Sequence, residues 1–272
     1  METSPELTAL LSKNLVTFMN VLTLTFMRPL GLLFGFIGIA WAVGGSATLI
    51  RTAIAFSIAI PLIAHQYTGL IEHLSQTHYL NFFLLLIKEL LIGFAFGTLV
   101  SIPFWIVQIS GSIVDSYRGE SNSGATDPTG GEISTLARYQ VVVALLFFAA
   151  AGGFSYMIGE FYKSYILWPI TDSLPQLQSN FPVIILDLFT YIIVQAFLIS
   201  APLLLILLII DFITLMCGKI IKGFNSQDIS SSLKNLTTIL LLPVLAIVYV
   251  NILQSNYFNN FNFLDQLQGI MK

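Results

Sequence analysis

The sequence predicts an all-α protein embedded in a membrane, and three observations carry that prediction. Of 272 residues, 56% are hydrophobic and 9% charged, where an ordinary soluble domain has about a quarter of its residues charged. The mean hydropathy is +0.86. The apolar residues fall in long charge-free runs without period-2 alternation, and in lipid a helix is then the segment that satisfies its own backbone. Charge is scarce rather than biased. The 11 Lys+Arg against 14 Asp+Glu leave a net −3, which offers no basic surface to nucleic acid. The single Cys217 excludes a disulfide framework and a cysteine-based metal cluster.

Glu2 and Glu6 precede the first run with only Lys13, a poor start for a signal peptide, and Arg28-Pro29 stands where a small-residue cleavage site would fall. The first helix is therefore expected in the mature protein. Charge-free runs cover 14–27, 29–50, 52–71, 90–114, 139–159, 188–210 and 235–264. A span takes about 20 apolar residues, since about 30 Å of hydrocarbon is crossed at 1.5 Å per residue. Five or six spans are predicted, 14–27 being too short to stand alone, and the whole of 1–272 reads as one membrane-embedded domain.

Several charges interrupt the runs. Arg51, Lys88-Glu89, Asp187 and Asp211 lie in or beside them, where a mid-bilayer charge costs about 2.5–3.5 kcal/mol. Asp187 and Asp211 bracket the run 188–210. Lys88 and Glu89 are neighbours and so do not face one another on a helix; each is predicted to need its own partner or water, which suits a helix packed against protein. Gly31, Gly35 and Gly38, and Gly93 with Gly97, have the spacing that lets helix backbones approach, within the chain or between chains. Pro61, Pro103, Pro202 and Pro243 are predicted to kink or break their helices.

Two hydrophilic stretches stand apart. Residues 111–138 hold five glycines (Gly111, Gly119, Gly124, Gly130, Gly131) and the charges Asp115, Arg118, Glu120, Asp127, Glu132 and Arg138. A polar loop of this length in so apolar a chain is usually functional or disordered. Its composition leaves a plain connector level with a gate or docking element, and Arg118 lies within reach of local pairs with Asp115 and Glu120. Residues 218–234 carry Lys219, Lys222 and Lys234 against Asp228, and the excess of lysine places them in the cytoplasm. The 160–187 connection, with Glu160, Asp172 and Asp187 against Lys163, then lies outside.

Catalytic constellations are sparse. No phosphate-binding Gly-rich loop, H-E-x-x-H or G-x-S-x-G occurs. His65, His73 and His78 share one polar connection with Glu72, at spacings that favour a wet interfacial loop over a metal site. Asp127 and Glu132 have nothing to desolvate them, and without desolvation there is no tuned general acid. A non-enzymatic protein without cofactor or metal is predicted.

At the 111–138 stretch the chain resembles a known family. Pro103-Phe104-Trp105, then Gly111, Asp115-Ser116-Tyr117-Arg118-Gly119 and Asp127-Pro128 are similar to the signature of the T component of the bacterial type III secretion export apparatus (the SpaR/YscT/EscT proteins, related to flagellar FliR). Arg28-Pro29, Arg51, Gly152-Gly153, Ser164-Tyr165 with Pro169, Ala201-Pro202, Asp211 and Lys234 match further positions along most of the chain. One departure lies after Asp211. Where the family usually has Gly-Leu-x-x-Arg-x-x-Pro-Gln-x-Asn, this chain keeps a basic Lys219 and Asn225 but has Lys222 and Gly223 in place of Pro and Gln, which favours an injectisome over a flagellar member.

The resemblance implies a multi-pass protein of the bacterial inner membrane that assembles with the R and S components into the entry pore for unfolded effector and needle proteins. It implies a plug or gating loop at Asp115, Arg118, Gly119, Glu120, Gly124, Asp127 and Pro128. It also implies a cytoplasmic switch protein as neighbour of the basic stretch Lys219, Lys222, Asn225 and Lys234, and helix packing or assembly through Gly31, Gly35, Gly93, Gly97, Lys88 and Glu89. Two other readings compete. A small-solute secondary transporter shares broken helices and intramembrane charges, but no corresponding Gly/Pro-interrupted segments flank a midpoint. A membrane-embedded enzyme centred on Asp115, Arg118 and Asp127 lacks a nucleophile–base pair.

Overall fold

Helices in this chain run further than the charge-free runs, and Arg28, Lys88, Glu89 and Asp115 lie inside them as paired charges. The computed structural model describes residues 5–43, 47–74, 79–120, 125–126, 132–172, 181–221 and 225–254. Among them the helices are α1 (Pro5–Gly35), α2 (Ile37–Val43), α3 (Ala47–Leu74), α4 (Tyr79–Arg118), α5 (Thr135–Ala150), α6 (Gly153–Leu167), α7 (Phe181–Ile220) and α8 (Ser226–Gln254). One two-residue antiparallel pair, β1 (Ala125–Thr126) and β2 (Glu132–Ile133), sets Ala125 opposite Ile133. The fold class is all-α, as predicted.

Among the described residues, four helices are long and apolar enough to cross a membrane: Leu15–Gly35, Asn81–Arg118, Pro182–Ile220 and Ser226–Val248. The interrupted pair α5 and α6 would make a fifth. This corrects the run-based count at its start. Arg28-Pro29 does not end a segment but lies inside α1, and the run 29–50 is divided at Phe36 instead. There Ser101 Oγ accepts a hydrogen bond from Ile37 N–H at 2.8 Å and lies 3.0 Å from the Gly35 carbonyl. A buried hydroxyl thus serves the backbone groups of the break. The apolar part of α3, Thr48–Ile63, is too short to cross, and Arg51 in its first turns lies over the Phe34 ring at 5.7 Å.

Of the two outcomes expected at the prolines, a break does not occur. Pro29, Pro61, Pro103, Pro202 and Pro243 all lie inside helices and end none of them. In apolar surroundings a broken helix strands more backbone donors and acceptors than the one bond a proline removes. Asp187 and Asp211 likewise lie within α7 rather than at its ends.

The described residues form two units. The first draws on Met1–Ser101 and Met157–Leu177, the second on Ile102–Tyr156 and Gln178–Gln266. In the first unit the glycine seam closes α1 on α4. A methyl group on Gly31, Gly35, Gly93 or Gly97 would lie under 3.0 Å from backbone atoms of the facing helix, so the two backbones approach closely within the chain. Phe96, Phe161 and Tyr165 pack edge-on beside it, with ring centroids 5.8 and 5.6 Å apart. In the second unit Phe104, Phe148 and Phe154 form a similar stack at 5.4 and 5.2 Å. Burial within the chain is uneven: 67% of the span window of α4 is buried, 33% of that of α7 and 11% of that of α8. Much of the apolar surface of α7 and α8 is therefore left for lipid or other subunits.

Candidate functional site

The first unit encloses an ion cluster. Arg28 and Glu89 are both fully buried and joined by two parallel bonds, Nε to Oε2 at 2.6 Å and Nη2 to Oε1 at 3.0 Å. Such a fork-on-fork pair is the strong form of a charge-assisted hydrogen bond. The same guanidinium donates to the Trp168 carbonyl at 2.9 Å and to Ser164 Oγ at 3.3 Å, and stacks 4.0 Å from the Tyr165 ring. Lys88 Nζ lies 3.0 Å from Glu89 Oε1, so the two neighbours do meet, contrary to the prediction. Adjacency on a helix separates Cβ atoms, but a four-carbon stem can fold back across the gap. Lys88 also finds partners of its own, the carbonyls of Ile170 at 2.8 Å, Asp172 at 2.9 Å and Pro169 at 3.4 Å. These carbonyls follow the C-terminus of α6, where the helix dipole favours cations. The cluster therefore ties α1, α4 and the end of α6 together without leaving either cation bare.

The second unit holds a polar network where α4 ends. Gly119 adopts φ +83°; its N–H bonds to Ser116 O, and the N–H of Glu120 bonds to Asp115 O at 3.0 Å. This doubly bonded ending needs a left-handed residue, hence glycine. The predicted loop is consequently shorter than 111–138. Gly111, Asp115 and Arg118 are helical, and the interval between helices is 119–134. No breaker stands between Pro103 and Gly119, and Gly111 serves packing, pressed against Ala137 and Gln140 of α5.

Asp115 is fully buried. Its Oδ1 pairs with Arg118, with Nε at 3.1 Å, and its Oδ2 accepts from the Leu136 N–H at 2.7 Å. It thereby caps the N-terminus of α5 from another helix, beside the cap of α5 itself, Ser134, which accepts from Ala137 N–H at 3.4 Å. Both contacts place oxygen at the positive end of a helix. Arg118 goes on to Glu120 at 3.1 Å and to Asn235 Oδ1 at 3.3 Å, and Asn235 Nδ2 donates to Glu120 Oε1 at 2.5 Å. The pairs of Arg118 with Asp115 and Glu120 are those the sequence predicted. Next to them Asp211 of α7 accepts from Tyr117 Oη at 2.9 Å and from Ser230 Oγ, and meets Lys234 Nζ at 3.2 Å. Lys234 in turn lies 5.3 Å from the Tyr117 ring centroid.

Of the predicted loop residues, Asp115, Arg118, Gly119 and Glu120 thus come together, while Gly124, Asp127 and Pro128 lie outside the described residues. Of the basic stretch, Lys234 joins the network. Lys219 is exposed in the last turn of α7, Asn225 precedes α8 and bonds Asp228, and Lys222 lies outside the described residues. So do the side chains of His65, Glu72, His73, His78, Asp127 and Glu132. Among the described residues no group of three His, Cys, Asp or Glu is placed to hold a metal ion. Tyr117, Ser230 and Asn235 were missed by sequence reasoning. Ser230 and Asn235 lie in the polar first part of α8 among Ser231, Ser232, Lys234 and Thr237, so no local signal set them apart.

Buried ion pairs, internally satisfied helix ends and four or five spans define a multi-pass helical membrane protein built around fixed internal charges. The family described as Bacterial export proteins, family 1, matches residues 19–259, and the chain belongs to it. It is 27% identical over 191 residues to the Surface presentation of antigens protein SpaR of Shigella sonnei, covering 68% of this chain and 73% of the relative. It is 26% identical over 207 residues to the Yop proteins translocation protein T of Yersinia pestis, with 72% and 74% covered. The Flagellar biosynthetic protein FliR of Bacillus subtilis is more distant, 23% identical over 217 residues, with 72% and 84% covered. These findings place the chain with the T components of type III secretion, as an export-apparatus subunit of the bacterial inner membrane.

Proposed function

We propose that the chain assembles with the R and S export components as one membrane-embedded module and helps to form the entry pore for unfolded effector and needle subunits, carrying no catalysis of its own. The segment 119–134 acts as a plug in that pore, and the basic stretch around Lys219, Lys222, Asn225 and Lys234 faces a cytoplasmic switch protein. One observation carries this reading: a sixteen-residue interval, 119–134, joins α4 to α5, and its start is held in an ionic network around the buried Asp115. The largely unburied apolar faces of α7 and α8 support assembly with other apolar subunits. Family membership weighs against the solute-transporter alternative.

The test is to replace residues 121–131 by a short Gly-Ser linker, leaving Gly119, Glu120 and the α5 cap in place. The assembled complex is expected to persist while small solutes leak across the membrane. Unchanged conductance in an assembled complex would reject the plug.

A further inference from the structure

We propose that the corner where α2 gives way to α3 is a phospholipid site: Arg51 and Trp41 donate to the phosphate of an anionic lipid, and an acyl chain lies along the exposed apolar face of α3. The inference is independent of the plug reading.

Two donors without acceptors point to a ligand. Among the described residues three buried side-chain polar atoms have no hydrogen-bond partner, and two of them, Trp41 Nε1 and Arg51 Nε, belong to this corner, where α2 packs against α3. Both are N–H groups that donate and cannot accept, so what satisfies them carries lone pairs. Arg51 adds a charge. Arg28 and Arg118 each meet a carboxylate, whereas no carboxylate among the described residues pairs with Arg51; its neighbour is the Phe34 ring at 5.7 Å. A phosphodiester supplies both the acceptor oxygens and the anion, and a planar guanidinium matches it.

Depth selects a lipid over a free anion. The span of α1 runs Leu15–Gly35, about 31 Å at 1.5 Å per residue, which is the thickness of the hydrocarbon. The corner just past it therefore falls at headgroup level, where Trp is favoured. From there α3 returns beside α1, with Arg51 over Phe34 and Phe56 against Phe26 at a centroid distance of 6.3 Å. Leu49, Phe56 and Ile60 share one face of α3 and stay 78%, 44% and 54% exposed. The rise from Leu49 to Ile60 is about 16 Å, close to half of the hydrocarbon thickness. A cation at the head of an apolar face one leaflet deep complements a phospholipid in both charge and length. A zwitterionic headgroup brings its own cation to the phosphate, so a lipid with net negative charge is preferred.

The experiment uses the full chain in phosphatidylcholine vesicles holding a rising fraction of phosphatidylglycerol with brominated acyl chains. Trp105→Phe and Trp168→Phe leave Trp41 as the single tryptophan, so quenching of its fluorescence reads occupancy of the corner. Quenching is expected to saturate with phosphatidylglycerol, and to be weaker when the bromine is carried by phosphatidylcholine instead. Arg51→Gln should raise the half-saturating fraction about tenfold, as a charged donor is lost, while Arg138→Gln, an exposed arginine of α5, should leave it unchanged. Equal quenching by the two brominated lipids, or a half-saturating fraction that Arg51→Gln does not move, overturns the proposal. Glycerol phosphate added at millimolar concentration should not compete; if it does, the site takes a soluble phosphate and the lipid assignment falls. Should Arg51→Gln fail to fold, a second measurement decides in the assembled complex in native membranes. Leu49 is replaced by the photoreactive p-benzoylphenylalanine and irradiated, and a phospholipid adduct is expected. An adduct with another subunit in place of lipid, or no lipid adduct, overturns the proposal.

Discussion

Replacing Glu89 by Gln should destabilise the protein more than any other single isosteric change in the first unit. Its carboxylate pairs with Arg28 through two bonds and with Lys88 at 3.0 Å, and all three side chains are buried. The amide keeps the shape but leaves two cations without an anion in an apolar interior. Removing one partner of a buried pair costs about 3–5 kcal/mol. The carbonyls of Trp168, Pro169, Ile170 and Asp172 still hold the two cations, so the lower end, about 3 kcal/mol, applies. At about 2–4 °C per kcal/mol for a chain of this size, melting should fall by roughly 6–12 °C. The assay is thermal unfolding of the purified chain in mild detergent, followed by tryptophan fluorescence. A second variant, Arg28→Met with Glu89→Leu, should recover part of the loss, because neither of the paired charges then has to be desolvated. Melting of Glu89→Gln at the parent temperature would refute the reasoning, as would a double variant less stable than the single one.

Other substitutions test the remaining features. Gly93→Ala puts a methyl group under 3.0 Å from the Arg28 carbonyl and should cost about 1–3 kcal/mol as overpacking. Gly159→Ala, helical and with open space around it, should instead stabilise by about 0.5–1 kcal/mol; both are read in the same melting assay. Asp115→Asn removes the charge that caps α5 and pairs with the largely buried Arg118, a loss of about 1.5–3 kcal/mol, measurable as faster limited proteolysis between residues 119 and 134. Gly119→Ala forces a side chain into φ +83° at about 1–2 kcal/mol and should accelerate amide exchange at Gly119 and Glu120, where the helix-ending bonds form. Unchanged exchange there would show that the helix ending does not depend on glycine.

Legibility divides along the range of the interactions. Arg118 with Asp115 and Glu120 was readable because the partners lie within three residues and one helical turn brings them together. The glycine seam was readable as a close-packing surface, because small residues at helical spacing have few other uses, but its partner was not: Gly31 and Gly93 are 62 positions apart. The prolines left kink and break open, and the helices continue through them because an apolar environment penalises a break more than one lost bond. The loop was drawn too long because Gly111 and the charges at 115 and 118 look like loop composition, and only contact with α5 shows that they are packed.

Composition and the charge-free runs by themselves determined the all-α class and the membrane setting, since these follow from how much apolar surface the chain carries, while the family was reached through the resemblance of motifs such as Pro103-Phe104-Trp105 and Asp115–Gly119 to a known signature. Tertiary structure alone decided which charges sit where they can be buried. Arg28 meets Glu89 from 61 positions away and Asn235 meets Glu120 from 115. An ionised side chain is tolerated in an apolar interior only where a partner arrives by folding, and a partner that distant leaves no mark in the local sequence.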